Sequence, residues 1–401
     1  MTEHALDITK LPCGTNKVTV AGLPAEVVKL PYRKGATQVN RFSRSLIHDG
    51  RPVLYTGIFV GDNGFSQGHD EKKWDAILDL FETYGFKYSH VLTKSTRVPV
   101  ASTLYLIREG GKRGIPFIFW GDFCTPSIWD FLVNKRHLPP ASIMDEKEMV
   151  EAFSLDNILS YIVMDEPELG TPSDEARAYL MHMKSYFPYT PVQMNNTVLG
   201  IPSRYADLRT DILMLDDYLT NQEGRTVDSV VSQVDYMVAA DPGKPCWYFI
   251  VGDNISLHYK FPNYAEQVAQ SWGCLCAGCT GLSWYIGIPG AMGSWRACVD
   301  VNREAQALAP VLLDEEVVPS ATATEGKRKL RHLTKRHDGA WYVLTCNVDR
   351  EALGEVTFTL PKDAPQDGTV EVLYENRTIP LKGGTFADSY AGHTRHLYRV
   401  R

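Results

Sequence analysis

Eight times along the middle of this chain, a short apolar run rich in β-branched and aromatic residues gives way to a longer stretch of amphipathic, helix-like pattern. The runs are PVLYTGIFV (52–60), YSHVLT (88–93), IPFIFWG (115–121), ILSYIVM (158–164), TPVQMNN (190–196), DILMLDD (211–217), PCWYFIVG (245–252) and GLSWYIG (281–287). Strands apolar on both faces, separated by helical segments, are the signature of a parallel sheet covered by crossover helices. Eight such units predict a closed (β/α)8 TIM barrel, a count that an open doubly wound sheet rarely reaches. The absence of a G-x-G-x-x-G turn after the first run lowers the dinucleotide-binding alternative further. The pattern is least regular between about 121 and 157 and in a short, weak helix near 201–208.

The flanks differ. Residues 1–50 carry β-like runs such as KVTVAGL and AEVVKL, expected to decorate the barrel base or to pair with the C-terminal sheet. From 314 to 401 the pattern becomes short alternating strands, AWYVLTCNV, GEVTFTL, GTVEVLYEN, RTIPLKGGTF and RHLYRV. They predict a small antiparallel β-sandwich reached through the low-pattern ATATEGKRKLR, with aromatic residues such as Tyr390 exposed. The expected organisation is therefore an N-terminal β-rich segment (1–50), a barrel (51–313) and a sandwich (314–401).

Charge and cysteine content narrow the function. With 41 basic and 48 acidic residues, a net charge of −7, the chain has no basic footprint, so neither nucleic acid nor an anionic membrane is an expected partner. The N-terminus lacks the charged start and apolar core of a signal peptide, and no run reaches membrane-spanning length. The expectation is a cytoplasmic chain, or a secreted one whose signal has been removed. Eight cysteines in 401 residues are no disulfide framework. The cluster Cys274, Cys276 and Cys279 reads as core packing on a helix, since no second pair stands at zinc-site spacing. No metal and no cofactor are expected.

In a barrel of this kind the chemistry gathers at the C-terminal ends of the strands. Here those ends carry Asp62; Lys94; Trp120 and Asp122; Asp165 and Glu166; Asn195 and Asn196; Asp216, Asp217 and Tyr218; Asp253 and Asn254; and Trp284 and Tyr285. Carboxylates at five of eight ends, among amides and aromatic rings, fit a sugar pocket: hydroxyls pair with acids and amides, sugar faces stack on rings, and glycosidic cleavage uses two carboxyl groups. Asp62 and Asp122 sit in Gly-Asp turns, where a turn role competes with ligand contact. Lys94 reads as a solvated loop lysine. Trp247 and Tyr248 read as core. Trp284 and Tyr285 alternate across one strand, so only one of them faces the axis.

The segment YIVMDEPELG (161–170) and its place after the fourth run resemble (β/α)8-barrel glycoside hydrolases, and the likeness spans about residues 40–313. RSLIHDGRPVLYTGIF is similar to the start of such barrels. DEP resembles the Asn-Glu-Pro signature of the large retaining superfamily, which implies Glu166 as general acid/base and Asp165 in place of the Asn that contacts the 2-hydroxyl. That superfamily has a Glu nucleophile after the seventh strand, where this chain has Asp253 in FIVGDN; Asp217 is the other candidate second group. The adjacent Asp-Glu pair is also similar to substrate-assisted N-acetylhexosaminidases. That likeness implies Asp165 as the group orienting the acetamido, Glu166 as the acid, and Tyr218 or Asn196 completing the clamp. Two further readings stand beside these: a noncatalytic carbohydrate-binding barrel, and a barrel enzyme of other chemistry, for which the eleven histidines supply no H-x-H or H-E-x-x-H pattern.

Overall fold

The computed structural model describes residues 6, 8, 10–60, 71–92, 100–120, 155–169, 172–197, 210–219, 224–252, 261–285, 287–324 and 329–401. Two small sheets come first: a hairpin of β1 (Gly14–Val20) and β2 (Leu23–Lys29), then β3 (Thr37–Asn40), β4 (Ser45–His48) and β5 (Arg51–Val53). The turn between β4 and β5 is Asp49-Gly50, both with positive φ (47° and 79°), as a two-residue hairpin turn of type I′ demands. This second sheet closes the N-terminal end of the barrel. The Thr37 amide donates to Tyr189 O (2.8 Å) and its hydroxyl to Ile158 O (3.3 Å), while Leu46 and Val53 join the barrel's interior cluster. It thus covers the barrel base, while the runs KVTVAGL and AEVVKL pair with each other as the β1–β2 hairpin.

The barrel itself is closed and runs in chain order: β6 (Tyr55–Val60), β7 (Tyr88–Leu92), β8 (Phe117–Trp120), β9 (Ile158–Asp165), β10 (Val192–Thr197), β11 (Leu213–Asp216), β12 (Cys246–Val251) and β13 (Gly281–Tyr285), with β13 pairing back onto β6. All pairs are parallel. The described α-helices between and after them are α1 (Glu71–Tyr84), α2 (Val100–Lys112), α3 (Ser173–Tyr186), α4 (Val227–Ala240), α5 (Tyr264–Ala277), α6 (Met292–Ala307) and the short α7 (Ala309–Leu312). Local sequence sets their ends. Thr226 with Ser229, and Asn263 with Glu266, form capping boxes for α4 and α5, and Gly278, at φ 110°, closes α5 in the left-handed region. The weak helix expected near 201–208 lies outside the described residues.

The C-terminal region is the expected sandwich. Five antiparallel strands, β15 (Leu330–His337), β16 (Ala340–Asn347), β21 (Arg395–Val400), β18 (Gly368–Val372) and β19 (Arg377–Leu381), face three, β14 (Thr322–Ala323), β17 (Gly354–Thr359) and β20 (Thr385–Tyr390). Two expectations need correction. RTIPLKGGTF is not one strand, because Gly383 and Gly384 turn the chain at positive φ (54° and 72°) from the larger sheet into the smaller. Tyr390 is buried, its hydroxyl between those of Thr345 (2.6 Å) and Tyr398 (2.8 Å). The outer face of the five-stranded sheet, with Tyr342, Leu344, Cys346, Val348 and Leu397, shares one apolar core with the barrel helices. Cys274, Cys276 and Cys279 are buried in that core, and no metal-binding group occurs among the described residues.

Candidate active site

Residues paired in register on neighbouring strands point to the same face, so the ladder itself sorts the strand-end residues. Met214 and Trp247 are paired and belong to the barrel's interior cluster. Asn195 pairs with Met214, and Asp165 with Asn195, so both point inward. Asp216 pairs with the interior Phe249 and also points inward. Trp120, paired with Ile162, does the same. Tyr285 packs on Phe59 (4.9 Å between centroids) and stacks on Tyr218 (5.4 Å, 17°).

The mouth of the barrel therefore gathers Asp165, Glu166 and Asp216 around Asn195, over an aromatic floor. Asn195 Nδ2 donates to Asp165 Oδ1 (3.1 Å), and the Tyr218 hydroxyl donates to Asp216 Oδ2 (3.1 Å). Burial lifts the Asp216 carboxyl well above the ordinary aspartate range, and the charges of Glu166 and then Asp165 push it further the same way. A buried acid beside two others is harder to ionise, because the charge it would gain meets neighbouring carboxyl groups in a poorly solvated space. Burial likewise holds the Tyr218 phenol far above its usual range, so it stays a donor.

Glu166 has the most unusual backbone. Its φ is +40°, in the left-handed region that costs a residue with a Cβ on the order of 1–3 kcal/mol. It is held there from both sides: its amide donates to Asn195 O (2.8 Å), and Pro167 begins a 3-10 turn, Pro167–Leu169. A proline further restricts the residue before it. Strain of this kind persists only where neighbours overdetermine the conformation, and it concentrates at working sites.

The same ladder removes two sequence candidates. Asp217 points to the opposite face from Asp216, is 3% exposed, and forms an ion pair with Arg225. Trp284 pairs with Ile58 and Ile250 in the layer between barrel and helices, where its Nε1 donates to Ser271 Oγ of α5 (3.2 Å). Asn196 is also turned from the axis, since it pairs with the outward Leu215, and its amide donates to Glu168 Oε2 (3.0 Å). Trp247 and Tyr248 are core, as read. Asp62, Lys94, Asp122, Asp253 and Asn254 lie outside the described residues.

Two residues escaped sequence reading. Glu168 belongs to the same turn as Glu166 but looked like one more loop acid. His90, centred in YSHVLT, faces the axis between Phe59 (4.7 Å), Phe249 (5.0 Å) and Trp120 (5.7 Å); it is fully buried, and neither ring nitrogen has a hydrogen-bond partner among the described residues. Burial drives its pKa well below the usual value, so the ring is neutral. The period-2 alternation of Tyr88 and His90 carried that signal.

No protein-family model and no curated protein matches the sequence. Solved structures do. A glycoside hydrolase family 5 protein from Bacteroides vulgatus superposes with a TM-score of 0.60 at 14% identity, over 93% of this chain and 94% of that one. A putative alpha-galactosidase/melibiase from Bacteroides fragilis gives 0.59 at 12%, over 97% and 86%. An alpha-amylase from Geobacillus thermoleovorans, solved with acarbose, gives 0.56 at 12%, over 87% and 98%. At such identities the likeness establishes the fold, a (β/α)8 barrel followed by a β-sheet region. Among the described residues no helix is long and apolar enough to cross a membrane.

Proposed function

We propose that this chain is a glycoside hydrolase in which Asp216 supplies the proton and the Asp165–Glu166 pair supplies the negative charge. The observation that carries this is the setting of Asp216 beside two other carboxyl groups at one barrel mouth, where burial and the charges of Glu166 and Asp165 raise its pKa well above the ordinary aspartate range. Glycosidic cleavage asks for such a division, one carboxyl protonated at the leaving oxygen and one ionised at the anomeric carbon. Asn195 supports the ionised role of Asp165 by donating to it. The Tyr218 hydroxyl orients the Asp216 carboxyl; its donation pulls against the upward push of burial, which is the larger influence. The stacked Tyr218 and Tyr285 offer a sugar ring a face, and the structural neighbours are themselves glycoside hydrolases, one of them solved with acarbose. The ligand class is thus a carbohydrate.

In this reading Asp216 protonates the departing oxygen as Asp165 meets the developing charge on the sugar. With retention, Asp165 bonds to the anomeric carbon and is released by a water whose proton Asp216 takes; with inversion, Asp165 itself takes the proton of the attacking water. Carboxyl groups about 5–5.5 Å apart correspond to a covalent intermediate and retention; about 6.5–9.5 Å corresponds to inversion.

A second reading makes Glu166 the acid and Asp165 the group that orients a substrate acetamido. The strained backbone of Glu166 favours it, because strain at one residue points to a demand on that side chain. Of the two clamp candidates, Asn196 is engaged by Glu168, which leaves Tyr218 for that role.

The test is turnover of aryl glycosides, 2-acetamido sugars included, by the wild type and by D216N, D165N and E166Q. On the first reading D216N loses about 100-fold or more in kcat on substrates with poor leaving groups and far less on activated ones, as removal of a proton donor requires. Turnover confined to acetamido sugars, abolished in E166Q and retained in D216N, selects the second. No turnover of any glycoside by the wild type overturns both in favour of a noncatalytic carbohydrate-binding barrel.

A further inference from the structure

Resting on the hydrolase reading, we infer that Glu168 is a positioning residue whose carboxylate locks Glu166 into the left-handed conformation that presents its side chain to Asp216. Two residues beyond Glu166, Glu168 accepts from Asn196 Nδ2 (3.0 Å) through one oxygen and from the Thr197 amide through the other. On the near side the Glu166 amide donates to Asn195 O (2.8 Å), and Asn195 Nδ2 donates to Asp165 (3.1 Å). Four hydrogen bonds, alternating between the inward and outward faces, thus strap the end of β9 and its turn onto the last three residues of β10.

Glu166 sits in the middle of that strap at φ +40°. A ladder bond on one side and Pro167 on the other do not by themselves fix the turn, because Pro167–Leu169 is a single 3-10 turn with little of its own to hold it. The Glu168 clamp fastens its far side. Burial raises the Glu168 pKa while the donors Asn196 and Thr197 pull it back, because a carboxylate accepts at both oxygens; glutamine would turn an NH2 toward one of the two donors. Glu168 acts through Glu166 and is itself bound on the face away from the axis, so it touches no substrate.

The experiment compares wild type, E168Q and N196A in the full chain by two readouts. Peptide-level hydrogen exchange reports the strap without reference to activity, and steady-state kinetics on an aryl glycoside reports its consequence. Expected in both variants is exchange at least about tenfold faster in peptides covering 165–168 and 195–197, with peptides of β12 unchanged. Expected with it is a fall in kcat of about tenfold or more at a KM within about twofold. Unchanged exchange overturns the strap; faster exchange with unchanged kcat overturns its role in positioning. A wild type inactive on every glycoside overturns the hydrolase reading and the positioning role with it, while the exchange result still reports on the strap, so the two failures are told apart.

Discussion

Asp216 and Asp217 are covalent neighbours with opposite electrostatic surroundings. The first faces two other acids that, with burial, raise its pKa; the second is 3% exposed and matched by Arg225. Their substitutions must therefore diverge. D217A strands a guanidinium in the layer outside the barrel, so it should cost about 3–5 kcal/mol in urea unfolding. D216N should cripple turnover of substrates with poor leaving groups while removing a liability. Because the folded carboxyl titrates above its unfolded value of 3.8, the folded state binds the extra proton, and wild-type stability falls as pH rises beyond that value. Urea midpoints at pH 5 and pH 8 should thus separate wild type from D216N more widely at pH 8. Composition and position marked this acid-rich stretch, but one residue of register decides which neighbour faces the axis. Only the observed pairing of Asp216 with Phe249, and of Trp284 with Ile250, resolved the two ambiguous doublets.

At the scale of elements, α5 is held between α4 and the sandwich by the smallness of one residue. A Cβ on Gly273 would stand 2.7 Å from Val231 Cγ2 and 2.8 Å from Val348 Cγ1, closer than carbon atoms pack. G273A, though it favours helix intrinsically, should therefore lose about 1–3 kcal/mol by overpacking, read as a lowered denaturation midpoint. The eight barrel strands were legible because burial on both faces leaves an almost unbroken apolar run, such as CWYFIV in β12. Strand β15 was not. Only its first two residues fall within the charged connector ATATEGKRKLR, and the rest of LRHLTKRH belongs to no expected element, yet Arg331 is bound by Asp235 (2.7 Å) and Ser232 (2.9 Å) of α4, and Arg336 is paired with Glu316. A strand whose charges are matched on other elements carries no apolar period to read.

Across the whole molecule, barrel and sandwich are joined by polar as well as apolar contacts. Glu304 of α6, 3% exposed, accepts from Trp272 Nε1 (3.0 Å) within the barrel layer and from Arg395 Nε (3.0 Å) of β21. Within the sandwich, Arg377 donates to Asp388 (2.6 Å) and Glu375 (2.9 Å), and Tyr398 donates to Asp388 (3.0 Å). Burial works to raise both carboxyl groups; the hydrogen bonds and the positive charges of Arg377 and His396 outweigh it and hold both below their ordinary values of 3.8 and 4.5. Their stabilising contribution is complete above about pH 4.5 and drains away as pH falls toward the folded values. Acid unfolding, followed by circular dichroism, should therefore begin below about pH 4.5, and R377M should flatten that acid limb. The pairing of β13 with β6 has a temporal meaning as well. During synthesis the first barrel strand emerges long before its last partner, so until Gly281–Tyr285 has left the ribosome the growing sheet keeps two open edges, and cellular yield depends on shielding them.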